Sequence, residues 1–305
     1  MKALICRAFI GISNLEIMIC ALSRKLFRQG TYFPSIRISG VANRKQKEIR
    51  GTREWAVAEI NCCSGCPHGC RYCYARSAAF VSGQIESAED WLECVVDEKI
   101  NREYPCFSGQ VMFPTAHDIV EENLEVSLDV IGQLLKSGNR VLVVSKPSLI
   151  CFEKICDTFS QMQNNILFRF TITARNQEIL SFWEPGAPSY DERKKALKMA
   201  FNRGFTTSVS IEPMLDAGDV VDLVADVQNF VNHSIWVGKM NKIDQRVICD
   251  SEQAQKEVDR IVQEQSDERI MSLYLQLHKN QLIRWKESIK EVVGLPMASQ
   301  VGLDQ

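Results

Sequence analysis

Cys62-Cys63-Ser64-Gly65-Cys66-Pro67-His68-Gly69-Cys70-Arg71-Tyr72-Cys73-Tyr74-Ala75-Arg76 is the stretch from which the rest of the chain is read. Five of the twelve cysteines of the 305-residue sequence crowd into it. The others, Cys6, Cys20, Cys94, Cys106, Cys151, Cys156 and Cys249, are scattered. Cys66, Cys70 and Cys73 follow a CxxxCxxC spacing, which puts three thiolates on one tight loop. Soft thiolates this close suit a 4Fe-4S cluster, and three ligands leave the fourth iron without a protein ligand. An open metal position marks chemistry at the metal, by the logic that separates catalytic from structural zinc sites. Two other readings stay open. Cys63-x2-Cys66 with Cys70-x2-Cys73 resembles two zinc knuckles, so the alternative is a zinc-stabilised four-cysteine binding module without catalysis. Zinc ribbons, however, separate their knuckles by about a dozen residues or more, far more than here. An all-cysteine electron carrier would need Cys63 as a fourth ligand.

Outward from this loop the pattern is regular. Runs rich in β-branched and aromatic residues at 55–61, 110–113, 140–145, 167–173, 206–211 and 234–237 have the length and composition of buried strands. Between them, 87–100, 121–136, 149–161, 190–202 and 218–231 predict helices. In the second, Leu124, Leu128, Ile131 and Leu135 fall on one face. Strands alternating with helices imply parallel pairing, hence a barrel or a doubly wound sheet. Either architecture carries its chemistry at the carboxyl ends of the strands, where the cysteine loop follows the first one. Past residue 241 the chain turns polar, and 251–265 and 267–293 predict two helices that pack outside the core or close one end of it. The expected organisation is an extension over 1–53, a core over 54–241 and a helical extension over 242–305.

Composition is that of a globular domain, with 45% hydrophobic and 24% charged residues. A net charge of −2 and a pI near 6.2 remove the simplest electrostatic case for a dedicated nucleic-acid binder. The stretch 24–53 is locally basic, with Arg24, Lys25, Arg28, Arg37, Arg44, Lys45, Lys47, Arg50 and Arg53 set against Glu48 alone. Residues 3–22 are apolar but interrupted by Arg7, Asn14 and Glu16, and no small-x-small cleavage site follows. They read as an extension or a first helix. Scattered unpaired cysteines predict a reducing, cytoplasmic location, and no other run reaches the ~18 apolar residues of a membrane span.

The cysteine loop, with Tyr72 as the aromatic of a CxxxCxφC signature, closely resembles the radical S-adenosylmethionine superfamily. The six-fold strand–helix alternation is similar to that superfamily's partial (β/α)6 TIM-like barrel. The resemblance implies that Cys66, Cys70 and Cys73 hold a 4Fe-4S cluster whose open iron binds S-adenosyl-L-methionine. It further implies reductive cleavage of that cofactor to a 5′-deoxyadenosyl radical, which takes hydrogen from a substrate. A low-potential donor of flavodoxin or ferredoxin type would supply the electron. Phe170-Thr171-Ile172-Thr173, then Phe182-Trp183-Glu184-Pro185-Gly186 and Arg193, resemble the spore photoproduct lyase-like branch, as does the Cys73-Tyr74 pair.

That resemblance implies cofactor contacts at Tyr72, Thr115, His117, Lys146, Thr171, Thr173, Glu212, Trp236 and Gly238. Lys146 would sit near the cofactor carboxylate, Thr115 and His117 near its amino group, Thr171 and Thr173 near the ribose, and Trp236 and Gly238 near the adenine. The branch also brings nucleic-acid repair or modification into view as the substrate class, with the reaction class, lyase or transferase, left open. The sequence departs from the branch at one place: Thr115 stands where the lyase has a hydrogen-donating cysteine. A threonine O–H bond is too strong for that transfer, so lyase activity would require Cys106 or another thiol in its place.

Overall fold

In the computed structural model, residues 48–97 and 103–304 are described. The apolar stretch 3–22 and most of the basic stretch 24–53 lie outside them. The described chain builds one seven-stranded sheet in the order β1, β4, β5, β6, β7, β8, β9, in which every neighbouring pair is parallel. These strands are β1 (Ala58–Glu59), β4 (Gln110–Phe113), β5 (Arg140–Ser145), β6 (Ile166–Thr171), β7 (Thr206–Ile211), β8 (Ser234–Val237) and β9 (Ile283–Trp285). A small antiparallel pair, β2 (Cys63–Ser64) with β3 (Val95–Val96), stands apart from it. This is an α/β fold of the partial-barrel type.

Alternation along the strands divides their side chains between two faces. Val111, Phe113, Val141, Val143, Phe168, Phe170, Val209, Ile211, Ile235 and Val237 belong to the large core that they share with the helices. The main helices of that layer are α2 (Leu124–Lys136), α3 (Leu149–Thr158), α5 (Tyr190–Asn202) and α6 (Val220–Val227). Phe152 of α3 packs edge-on against Phe168 and Phe170 of β6, at 5.4 and 4.8 Å between ring centroids. The opposite face carries Met112, Leu142 and Leu167 with Trp55 and Trp236. On the same parity it also carries Arg169, Thr171, Ser208 and Ser210.

Four expected strands have the predicted bounds, and the first shrinks to Ala58–Glu59 behind a 3-10 turn at Gly51–Glu54. The predicted helix over 87–100 does not form. A 3-10 turn at Glu89–Leu92 leads into β3, whose β-branched Val95 and Val96 pair with Ser64 and Cys63. The helix expected over 251–265 forms as α8 (Glu252–Glu264), while the single helix expected over 267–293 is broken into α9 (Asp267–Leu277), β9 and α10 (Glu287–Val293). The seventh strand is three residues long and flanked on both sides by helices, too brief to give a period-two signal. Three helices were not expected: α1 (Tyr74–Val81), directly after the cysteines, α4 (Gln177–Trp183), whose N-cap Asn176 accepts from Glu178 and Ile179 backbone N–H groups, and the single turn α7 (Ile243–Arg246).

Candidate active site

The carboxyl ends of β1 and β4 to β7 open onto a cavity of about 380 Å³. Parity places its wall: Met112, Val144, Thr171, Ser210 and Glu212 are the inward residues at or just past the strand ends, and all line it. The cysteine loop closes one side with Cys66, Cys70, Tyr72 and Cys73, while Thr115, His117, Asp118 and Lys146 come from the turns after β4 and β5. Nine of the twelve expected site residues therefore share one cavity.

The remaining three are not on its wall. Thr173 is fully buried and donates its hydroxyl to Glu184 Oε1 at 2.9 Å, so it fixes a neighbouring turn and does not face the cavity. Trp236 is fully buried against Trp55, 5.6 Å between centroids, with its indole N–H donated to Asp304 at 3.1 Å. Gly238 is packed under two side chains: a Cβ there would lie 2.9 Å from Lys286 Cγ and 3.0 Å from Glu212 Cγ. Cys106 is no substitute hydrogen donor either. It is exposed and lies beside the Gly138 carbonyl, at the amino end of β5 and away from the cavity.

The three cysteines differ in setting. Burial pushes the Cys66 thiol up to about 12 and raises Cys70 further, so in this protein alone both are neutral thiols. Cys73 is the N-cap of α1, and its sulfur accepts the Arg76 N–H at 3.4 Å. The loop is braced from α4 and the Glu184-Pro185-Gly186 turn: the Arg71 N–H donates to the Trp183 carbonyl at 2.9 Å, and the Gly186 N–H to that of His68 at 3.0 Å. Gly186 must be glycine, because a Cβ would come within 2.3 Å of the Pro67 carbonyl oxygen. Buried Glu184 accepts from Tyr72 and Thr173 and pairs with buried Arg193. Burial alone would raise its carboxyl, but Arg193 and Lys146 hold it below the usual range.

Asp118 is the hub of the opposite wall, and sequence reading passed it over. Its carboxylate accepts from the Lys146 backbone N–H at 2.7 Å, Lys146 Nζ at 3.1 Å and Ser145 Oγ at 2.9 Å, and lies 2.8 Å from His68 Nδ1. Burial opposes its charge, yet Lys146 and His68 hold the carboxyl well below the ordinary carboxylate range. Reciprocally, and again against burial, Asp118 raises the Lys146 ammonium, which stays charged beside the Tyr72 ring, 5.9 Å from its centroid. Asn61 was missed as well. Its side chain holds the turn after β4 by accepting the Thr115 and Ala116 N–H groups at 2.8 and 2.7 Å and donating to Thr115 Oγ1 at 2.7 Å. In both cases the partners lie 27 to 55 residues apart, so no local pattern reveals them.

Across the cavity Glu212 is raised to about 7, first by burial and then by Glu287 and Glu54, against the pull of Lys286. Lys286, buried beneath Gly238, bonds Glu54 Oε2 at 3.2 Å and Glu287 Oε2 at 3.3 Å.

A model of the radical SAM superfamily matches residues 60–231, more than half of the chain, and the chain belongs to that superfamily. Among solved structures, a spore photoproduct lyase variant shares 13% identity at a TM-score of 0.52, over 79% of this chain and 79% of that one. A doubly substituted spore photoproduct lyase with bound S-adenosylmethionine and dinucleoside spore photoproduct shares 15% identity at 0.44, covering 67% of this chain and 60% of that one. Streptococcus suis SuiB bound to its precursor peptide SuiA shares 10% identity at 0.48, covering 92% and 62%. This chain thus spans about 60% of the lyase structure that holds S-adenosylmethionine and dinucleoside spore photoproduct. At these identities the likeness is one of fold. No curated protein matches the sequence. Among the described residues no helix is long and apolar enough to cross a membrane.

Proposed function

We propose that the chain is a radical S-adenosylmethionine enzyme whose 4Fe-4S cluster is held by Cys66, Cys70 and Cys73. The observation that carries the reading is the convergence of these three thiols with strand-end polar groups on one cavity of about 380 Å³. The donor set fits the group. Among the described residues, the three cysteines are not one of the sets whose ligand atoms all lie within 4.8 Å of one another. A single zinc would draw its sulfurs to about 3.7 Å apart, given Zn–S bonds of about 2.3 Å. A wider triangle suits a polynuclear cluster. When bound, cluster and cofactor supply one-electron cleavage of a sulfonium and hydrogen-atom abstraction from a substrate.

The protein's own residues then bind and orient. Lys146, kept cationic by Asp118, offers a partner for the cofactor carboxylate; Thr115 and the Asn61-braced turn line the region for its amino group; Thr171 and Ser210 offer hydroxyls to the ribose. Glu212, close to half-protonated at neutral pH, offers either an acceptor or a donor. Tyr72 covers the cluster side with its hydroxyl tied to Glu184. For the substrate, the wall sets Glu59, Glu212 and Glu287 against Lys146 and Arg246, a balance that supplies no cationic bed for a phosphodiester. Nucleic-acid repair or modification therefore draws its support from the branch resemblance and the basic stretch 24–53, and predicts binding that weakens steeply as salt rises.

The test is anaerobic reconstitution with iron and sulfide, then dithionite and S-adenosylmethionine. Release of 5′-deoxyadenosine is expected from the reconstituted chain and not from Cys70→Ala. An intact cluster that cleaves no cofactor would contradict the reading.

A further inference from the structure

Behind the cluster loop lies a second gathering of sulfur ligands that neither the cluster nor its cofactor uses. Cys62 and Cys63 follow Asn61, Cys94 stands just before β3, and His117 sits in the turn after β4. The Cys62 and Cys63 sulfurs are 3.5 Å apart, and Cys62 Sγ is 3.5 Å from His117 Nε2. The ligand atoms of Cys62, Cys63 and His117 all lie within 4.8 Å of one another, and all three residues are buried. The Cys94 thiol interacts with Cys63 and accepts from the Asn123 amide at 3.4 Å. Cys62, Cys63 and Cys94 are not on the wall of the cavity that Cys66, Cys70 and Cys73 line, whereas His117 lies between the two.

Buried cysteines usually pack as small hydrophobes. Here the thiols point at one another and at an imidazole, from three separate segments of chain. Tetrahedral zinc with Zn–S of about 2.3 Å and Zn–N of about 2.0 Å requires sulfur–sulfur edges near 3.7 Å and sulfur–nitrogen edges near 3.5 Å; the Cys62–Cys63 and Cys62–His117 edges, 3.5 Å each, have that spacing. The imidazole is oriented for it. A backbone carbonyl can only accept, so His117 Nδ1, 3.0 Å from the Asp118 carbonyl, carries the proton and Nε2 keeps the lone pair. That lone pair now accepts the Cys62 backbone N–H at 3.1 Å, a bond the metal would replace.

We propose that buried Cys62, Cys63 and His117 form a site for zinc that half-buried Cys94 completes by closing onto the metal, giving three sulfur ligands and one nitrogen, none of them a cluster ligand. Binding one Zn2+ releases the three thiol protons to solvent and leaves a site of net charge −1, with no change of oxidation state. The metal ties β2, the start of β3 and the turn after β4 into one unit beside the cluster loop. The zinc and cluster ligand sets share no residue, so either assignment can fail without the other; His117 alone also borders the cofactor cavity.

Metal content and cobalt titration test it on the full chain. The Cys66→Ala/Cys70→Ala/Cys73→Ala variant should be purified, stripped with chelator and titrated with Co2+ alone. The expected result is an intense thiolate-to-cobalt absorption that saturates at about one equivalent and is displaced by Zn2+. Wild-type protein purified anaerobically should carry about one zinc besides its iron, and Cys62→Ala/Cys94→Ala should lose the zinc while keeping the iron. Absence of the cobalt–thiolate band in the triple variant, together with no zinc in wild-type protein, would overturn the assignment. So would zinc that disappears from the triple variant and persists in Cys62→Ala/Cys94→Ala. Circular dichroism on each variant separates loss of metal from loss of fold.

Discussion

The two ends of the barrel handle buried charge in opposite ways. At the amino end Arg169 is fully buried and is closed off by Asp304, which accepts from Nη2 at 2.7 and 2.9 Å, with Trp55 stacked 4.5 Å from the guanidinium. Burial lowers Arg169 and Asp304 opposes that shift. Both carboxylate oxygens are engaged and the pair is sealed, which is a structural use of charge. At the carboxyl end Asp118, Lys146, Glu212 and Glu287 are also tied to neighbours, yet each keeps a surface on the cavity. One end commits its charges to holding the sheet together; the other holds them ready for something that enters.

Four substitutions probe this contrast. The largest effect is expected at the sealed end. Asp304→Ala leaves a buried guanidinium unpaired and should cost about 3–5 kcal/mol in urea unfolding, a loss that Arg169→Met in the same chain should largely recover. A cost below about 1 kcal/mol would show that the pair is not buried as described. Next, Gly186→Ala forces a Cβ against the Pro67 carbonyl and should destabilise by about 1–3 kcal/mol, with a parallel drop in iron retained after reconstitution.

Third, the open end carries a pH signature. Glu212 is raised from 4.5 to about 7 in the folded chain, so between these values the folded state holds more proton than the unfolded state. Its stabilising contribution is complete below about pH 4.5 and is lost as pH rises through about 7, a change of roughly 1–3 kcal/mol. Glu212→Gln should flatten that part of the stability–pH profile, and an unaltered profile would remove Glu212 as its source. The smallest effect belongs to Thr173→Val, which deletes one hydrogen bond to Glu184 and should cost about 1 kcal/mol without changing iron content.

What could be read in advance follows the same division. β4, β5 and β8 are short apolar runs and β7 a β-branched one, which local composition marks, and the three cysteines of the CxxxCxxC loop lie within eight residues of one another, so a spacing rule finds them. β9 is invisible because three residues carry no period and its partner β8 lies far away in sequence. The Asp118 hub is equally hidden: its partners Ser145 and Lys146 come from β5 and the residue after it, His68 from the cysteine loop. Thr173, Trp236 and Gly238 show the converse failure. Strand-end position places a residue near the mouth of the barrel, but whether its side chain reaches the cavity depends on what packs over it, here Glu184, Trp55 and Lys286.

The most direct test of the central claim is the iron and sulfide content of anaerobically purified protein, compared between wild type, Cys66→Ala/Cys70→Ala/Cys73→Ala and Cys63→Ala. The account predicts about four irons and four sulfides per chain in wild type, none in the triple variant and an intact cluster in Cys63→Ala. Protein without iron or sulfide after reconstitution, or a cluster abolished by Cys63→Ala, would contradict it.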